Sequence, residues 1–507
     1  MAENTKNGTG SGRGGWSYWH IAFFILAIIN AFLGLNIALL GPDEPRYAQV
    51  GREMLERGDW ITPTLGGFLW LEKPALVYWL EILFYRLFGI TEFAARLGPA
   101  LCGIGTIFFL WMIAKIAARS LPDTFRALPV WVSVVAASTG GMIAFSHGIS
   151  FDLVVTFTIT ASLLGYFAFD HAEVGSSQRY SSLFAFYFFI GAGLLAKGLI
   201  GSVFPFGIVA LYHLSSRRRP RPGFVVSLTW GLPVIAAVAA LWYWPMYARH
   251  GWRFVDEFII QQHFERFTSN KYQHPQPIYF FLIVLPLMTI PWLPAFFGAC
   301  WRVVRGIGKR AGTGDAFSLR NSTILFSLVW LLVPLAFFSL SGSKLPGYVL
   351  PSLPPAIILA SIFLTDKIRD GRGWKMMTMA TAFATLIVSI CAILFFLPKY
   401  APTDTAKFLI EAANGRGYSG DRVTGIMVVS HSAEFYAAGR LLRTADGPQK
   451  QFYCVEDLAM EMKASDIKRL LVFVPNAHLA EVVDSPAARS QLISTSGDLS
   501  IVSVSIE

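Results

Sequence analysis

The stretch WSYWHIAFFILAIINAFLGLNIALLGPDEPRYAQVGREMLERGDW, residues 16–60, passes without a linker from an apolar run into a cluster of charge. The run at 17–40 exceeds the ~20 apolar residues that a helix needs to cross a bilayer. Asp43, Glu44, Arg46 and Tyr47 follow at once. Charge is costly beside hydrocarbon, so ionisable groups placed there mark a candidate functional site.

The apolar pattern recurs at 96–118, 128–146, 151–170, 182–196, 199–213, 224–246, 278–300, 322–340, 346–365 and 376–397. That predicts eleven membrane helices, or up to thirteen if the short stretches between 128 and 213 divide differently. In a chain of 507 residues with 54% hydrophobic and only 15% charged content and a mean hydropathy of +0.51, a water-soluble fold is excluded. Lys and Arg crowd alternate connections, including Arg217, Arg218, Arg219 and Arg221, then Arg302 and Arg305, then Lys367, Arg369 and Arg372. Those loops are therefore expected in the cytoplasm, and 41–95, 248–277, 341–346 and everything after 398 outside it. The net charge of +10 lies in those loops, where insertion topology accounts for it, so no nucleic-acid partner is expected. The four cysteines match no metal or disulfide pattern.

The expected domains are a cytoplasmic tail at 1–16, a membrane domain at 17–398 and a small outer α/β domain at 399–507, where RVTGIMVVS, RLLVFVP and LSIVSVS read as strands. Within the membrane domain, 43–58 and 74–88 predict helices lying on the membrane surface. Tyr47, Val50, Met54 and Leu55 share one face of the first, and Gly58 stops it. Pro74 opens the second, which holds Glu81 and Arg86 and is too short and too charged to span.

In a helix Asp43, Arg46 and Tyr47 project from one face. A carboxylate beside a guanidinium and a phenol can polarise a hydroxyl or phosphate, whereas Asp43 and Glu44 could equally serve as cap and first-turn acid. Glu72 and Lys73 sit just before a helix N-terminus, a ready anion site. Tyr78 and Trp79 suit either the interface or a sugar face. Asp152 begins a membrane helix, with Ser150 competing for the cap. Lys197, Arg266, Lys344 and Tyr348 lie in outer connections, able to meet a phosphate. Glu72 with His263 is a candidate pair for a divalent metal ion, although no cofactor is required by the sequence. Cations for a departing phosphate and a carboxylate for the nucleophile are what glycosyl transfer from a polyprenyl phosphate needs.

The strings DEPRYAQVGREMLERGDWITPTLGG, LEKPALVYW, FDLVVTF, AKG, HFERF and SKLPGYVLP, in this order across residues 17–400, resemble the aminoarabinose transferases. Their relatives are the dolichyl-phosphate-mannose protein mannosyltransferases. The resemblance implies a polytopic helical GT-C fold and an inverting transferase of the bacterial inner membrane with a periplasmic active site. It would move a sugar from an undecaprenyl-type phosphate to lipid A, or in a second reading to a protein or another envelope glycan or lipid. By that similarity Asp43 and Asp152 are the essential acids, with Lys73, Arg46 and Tyr348 near the carrier phosphate and Glu72 with His263 as a divalent-ion site. The residues themselves add Glu44 to the acids, Lys197, Arg266 and Lys344 to the expected phosphate contacts, and Tyr47 and Tyr78 to the expected substrate contacts. A monomer acting on membrane lipids is expected. The family's EKPP reads EKPA here, with Ala75 in place of the second proline, and the outer domain is shorter than in the nearest relatives. The rival class is a flippase or transporter, which would place charge at the bilayer midplane on broken helices.

Overall fold

The structure, a computed structural model, describes residues 18–119, 125–173, 176–265, 276–309 and 319–506. Seven described helices are long and apolar enough to cross a membrane. Two bent pairs, Leu128–Ala137 with Gly140–Ser146 and Phe280–Met288 with Leu293–Gly306, and two shorter apolar helices, Tyr18–Phe32 and Ile200–Ser216, take the remaining apolar stretches. The protein is a multi-pass helical membrane protein.

In chain order the first half comprises α1 (Tyr18–Phe32), α2 (Asp43–Arg57), α3 (Leu76–Phe88), α4 (Glu92–Ala118), α5 (Leu128–Ala137), α6 (Gly140–Ser146), α7 (Phe151–His171), α8 (Ser177–Lys197), α9 (Ile200–Ser216) and α10 (Phe224–Phe254). The hydrophobic run at 17–40 does not stay helical to its end. Gly34 takes φ +79°, and the buried Arg96 draws away the next carbonyls, donating to Leu35 and Ala38 at 3.1 and 3.0 Å and to Ile37. A guanidinium that supplies donors to a helix end lets the chain turn without stranding polar backbone. The span predicted to begin at 96 thus starts earlier, capped by Thr91, whose hydroxyl accepts from the Ala94 N–H.

Two spans lie inside the bundle: α7, with 83% of its apolar window buried, and Pro346–Asp370, with 89%, against 22% and 17% for Phe224–Gln262 and Arg372–Asp404 at the rim. Inside α7, Thr156 and Thr160 bond back to carbonyls one turn earlier, so hydroxyls cross the core satisfied.

The end of the bundle that carries α2 and α3, here called the loop end, also carries a two-strand hairpin, β1 (Thr64–Leu65) and β2 (Phe68–Leu69). Glu53 of α2 closes it, accepting from the Gly66 and Gly67 N–H groups at 2.6 and 3.1 Å and from Thr64 Oγ1 at 2.7 Å. Both glycines have positive φ, +62° and +83°, as a tight hairpin turn requires.

The C-terminal unit is a five-stranded sheet, with β3 (Arg422–Ile426), β4 (Gln451–Phe452), β5 (Arg469–Pro475), β6 (Arg489–Ser496) and β7 (Leu499–Ser505) in the order β4-β3-β5-β7-β6. β4, β3 and β5 run parallel, and β7 joins antiparallel. Leu471 and Phe473 face one core and Leu470, Val472 and Val474 the other, the period of two expected of a strand covered on both faces. Tyr436 fixes this unit to the loop end: its hydroxyl accepts from the Leu39 N–H at 2.8 Å and donates to Glu92 at 3.0 Å. Lys407 reaches the same Glu92 oxygen at 2.7 Å, and Asp404 accepts from the Gly41 N–H at 2.6 Å.

Candidate active site

A cavity of about 300 Å³ opens at the loop end. Its polar part is Glu72, Lys73, Lys197, Gln262, Ser341 and Tyr348, and its apolar wall includes Leu199, Val203, Phe337 and Phe338. Three turns from separate parts of the chain meet here. Lys73 arrives just before α3. Lys197 ends α8 where α8 and α9 cross so closely that a side chain at Gly201 would run into the backbone of Gly193. Tyr348 comes from the 3₁₀ turn Pro346–Ser352.

Asp152 binds this set together. Ser150 takes the cap of α7, accepting from the Leu153 N–H at 3.1 Å. Asp152 is thereby released from capping and forms an ion pair with Lys197. Lys197 Nζ also lies 4.4 Å from the centre of the Tyr348 ring. Gly347 passes so near that a methyl there would collide with the Asp152 carboxylate. The pair is partly exposed, 13% and 20% for the two side chains, so an entering anion can compete for the ammonium.

Tyr47, on α2, is buried and lies off the cavity wall. Its ring meets the edge of Phe151 at 4.8 Å. Burial first, then the charges of Asp43, Glu72 and Asp152, push its phenol up, with Arg46 opposing. Tyr47 thus stays a neutral phenol. Asp43 itself does not cap α2, whose N-cap is Pro42. It is half exposed and pairs with Arg46 at 2.5 Å, while Arg46 also donates to the Pro42 carbonyl and lies 5.8 Å from the Trp70 ring.

Other predicted site residues lie elsewhere. Glu44 is a clamp with its side chain 14% exposed, accepting from Arg96 at 3.1 and 2.6 Å, from the Leu40 N–H at 2.9 Å and from the Ile149 N–H at 2.8 Å. Both its oxygens are committed to tying α2, α4 and the entry to α7, which leaves none for a substrate. Tyr78 is fully buried against Phe151 and is off the cavity wall; burial first, then Tyr47, Glu81 and Glu72, raises its phenol. Lys344 is buried and donates to the Ser341 carbonyl at 2.6 Å, shaping the turn that lines the cavity. Arg266 and the side chain of His263 lie outside the described residues. Glu72 lines the cavity, but among the described residues no three His, Cys, Asp or Glu side chains gather as a metal would require.

Residues 17–256 match the model of the dolichyl-phosphate-mannose-protein mannosyltransferase family. The undecaprenyl phosphate-alpha-4-amino-4-deoxy-L-arabinose arabinosyl transferase of Yersinia enterocolitica is 28% identical over 356 residues, covering 68% of this chain and 58% of that one. The Pseudomonas aeruginosa enzyme of the same name is 30% identical over 372 residues, covering 71% and 61%. In three dimensions, ArnT from Cupriavidus metallidurans bound to undecaprenyl phosphate superposes with a TM-score of 0.76 at 20% identity, covering 96% of this chain and 98% of that one. The chain is similar to the aminoarabinose transferases over about two thirds of its length. Its fold is GT-C, shared at a TM-score of 0.55 with the archaeal oligosaccharyltransferase AglB from Archaeoglobus fulgidus. It spans about three fifths of the length of the curated relatives it matches.

This transferase-like chain also uses residues that sequence alone does not single out. Arg96, 3% exposed, is the hub of the Glu44 clamp, and an arginine near the start of a membrane span is the signal available in the sequence. His431, in the C-terminal unit, feels Arg46 and Asp43. Burial first, and then Arg46, holds its imidazole below the usual range, against the pull of Glu434 and Asp43. Nothing in its local sequence distinguishes it.

Proposed function

We propose that this protein transfers an aminoarabinose-like sugar, with inversion, from undecaprenyl phosphate to lipid A or another envelope acceptor at the periplasmic face of the bacterial inner membrane. The observation that carries this reading is the loop-end cavity, whose apolar wall suits a prenyl chain and whose Lys73, Lys197 and Tyr348 suit a phosphate. In the proposed reaction the sugar–phosphate bond breaks as the acceptor oxygen attacks from the opposite face. The charge that builds on the departing phosphate is met by Lys73 and by Lys197 as the latter leaves Asp152. Asp152, uncovered by that exchange, and Asp43 would orient the acceptor. An acceptor that is itself a phosphate arrives ionised and needs no strong base, so the acids then act by position and field.

The shared length of about three fifths with the arabinosyl transferases keeps a protein or other glycan acceptor as the second reading. The test is mass spectrometry of total lipids and lipid A from cells with and without the gene. A lost increment of an amino-pentose on lipid A is the expected result. An unchanged lipid A together with a lost glycan elsewhere would move the assignment to the second reading, and no loss anywhere would end both.

A further inference from the structure

The turn that leads from β3 into the short helix Ala433–Tyr436 carries His431 to the loop end of the bundle. Two bonds from one short segment set its place. Asp404 accepts from the Gly41 N–H at 2.6 Å, and two residues further on Ser432 Oγ accepts from the Ala406 N–H at 2.8 Å. Gly41 and Ser432 are thereby held side by side, which puts His431 next to the start of α2. Phe435 packs into the core of the bundle and the Tyr436 hydroxyl accepts from the Leu39 N–H, fixing the same approach from the other end of the short helix.

His431 is exposed, yet its backbone is tightly held. Ser430 and Ser432 on either side are buried, the Ser430 carbonyl accepts from Gln449 Nε2 at 3.0 Å, and the His431 carbonyl accepts from the Glu434 N–H at 3.2 Å. The imidazole makes no hydrogen bond or ion pair among the described residues. A fixed backbone under an uncommitted polar ring is the arrangement that a binding group requires. The charges that face the ring are Asp43 and Arg46 on α2 and Glu434 on its own segment. Arg46 donates from Nε to the Pro42 carbonyl and from Nη2 to Asp43, leaving Nη1 unused by either bond. Neither Asp43, Arg46 nor His431 lines the loop-end cavity that suits the carrier, so a group held among them belongs to the other substrate.

We propose that His431 binds the acceptor: its imidazole donates to an oxygen of an anionic acceptor group, a phosphate, which lies against Arg46 Nη1 and presents its attacking oxygen beside Asp43. This rests on the acceptor reading given above and adds to it the residue through which the C-terminal unit takes part. The role is one of binding, since a phosphate arrives ionised and gives up no proton in the transfer. In the empty site burial first, and then Arg46, holds the imidazole below its usual range. A bound anion offsets Arg46 and draws a proton onto the ring. The acceptor affinity that His431 supplies is therefore fully present below the pKa of the ring in the empty site, and is lost as pH rises through its higher value in the complex.

The experiment titrates the full chain in nanodiscs with lipid A, with lipid A stripped of its phosphates, and with undecaprenyl phosphate. The parent should prefer the phosphorylated lipid A. His431→Ala should weaken that binding by about tenfold, the worth of one hydrogen bond to a charged group, and narrow the preference to match. Binding of undecaprenyl phosphate and the melting temperature should stay as in the parent. His431→Lys, which keeps a cationic donor, should restore most of the lost affinity. Between about pH 6 and about pH 8 the parent should bind lipid A less tightly as pH rises, and His431→Ala should not. Unchanged affinity in His431→Ala, or an equal loss for undecaprenyl phosphate, overturns the assignment and leaves the acceptor reading standing. Failure of the acceptor reading shows differently, as a parent that does not bind lipid A, and that outcome overturns this role as well.

Discussion

Asp152 and Glu44 look in sequence like acids of one site, and their surroundings assign them opposite work. Asp152 holds an ammonium at the rim of a cavity, while Glu44 is enclosed among four donors. Asp152→Asn should retain the fold and lower kcat for sugar transfer by about 10²-fold or more, the usual worth of a positioned charge in an active site, while undecaprenyl phosphate binds tighter because the competitor for Lys197 is gone. Parallel kinetics and donor-binding titrations check this; full turnover would remove Asp152 from the mechanism. Arg96→Ala should act on stability instead, at a cost of about 3–5 kcal/mol, because it strands a buried carboxylate. A thermal shift assay in detergent reads that loss. Residue types at a membrane edge point to both acids, but a one-dimensional sequence does not show that Arg96 reaches Glu44 across 52 positions.

At the scale of elements, α2 and α3 are legible because apolar residues repeat at helical spacing and Gly58 and Gly89 mark their ends. Their contact is not. In sequence Glu81 is a charge that keeps α3 out of the membrane, yet it is 1% exposed with neither oxygen paired, and a methyl on Gly51 of α2 would collide with it. Burial pushes its carboxyl well above the ordinary range, so the folded protein keeps a proton that the unfolded chain releases. The stability Glu81 supports is therefore fully present below its unfolded pKa and falls as pH rises from there toward the folded value. Glu81→Gln should flatten that decline, so that melting temperatures measured between pH 5 and 8 fall less steeply than in the parent. Equal slopes would show that Glu81 is charged and solvated. Gly51→Ala should destabilise at every pH by about 1–3 kcal/mol, the cost of overpacking an interface.

For the whole molecule, hydropathy alone locates every apolar stretch that the bundle uses, since ~20 residues of hydrocarbon leave few other options. Strand alternation locates β3, β5 and β7 of the C-terminal sheet as well. The placement of that sheet unit over the loop end is beyond such reasoning, because it rests on residues far apart in the chain: Phe435 packs into the core of the bundle, and Tyr436 bonds Leu39, 397 positions away. Those contacts carry functional weight: Tyr436 and Asp404 hold the turn at 39–41, which sets the start of α2 and so the position of Asp43, and Lys407 braces Glu92, the acceptor of the Tyr436 hydroxyl. Tyr436→Phe removes a donor to Glu92 and the acceptor for the Leu39 N–H together, a loss of about 1–3 kcal/mol for groups left unpaired in a part-buried site. The expected outcome is faster proteolysis around Thr405 and Ala406, the link between the span that ends at Asp404 and the helix Lys407–Gly415, and slower sugar transfer with donor binding intact. If cleavage and turnover both match the parent, the unit rides on the bundle without positioning Asp43. If cleavage alone rises, docking is real but the geometry of α2 is held from within the membrane, by Glu44 and Arg96.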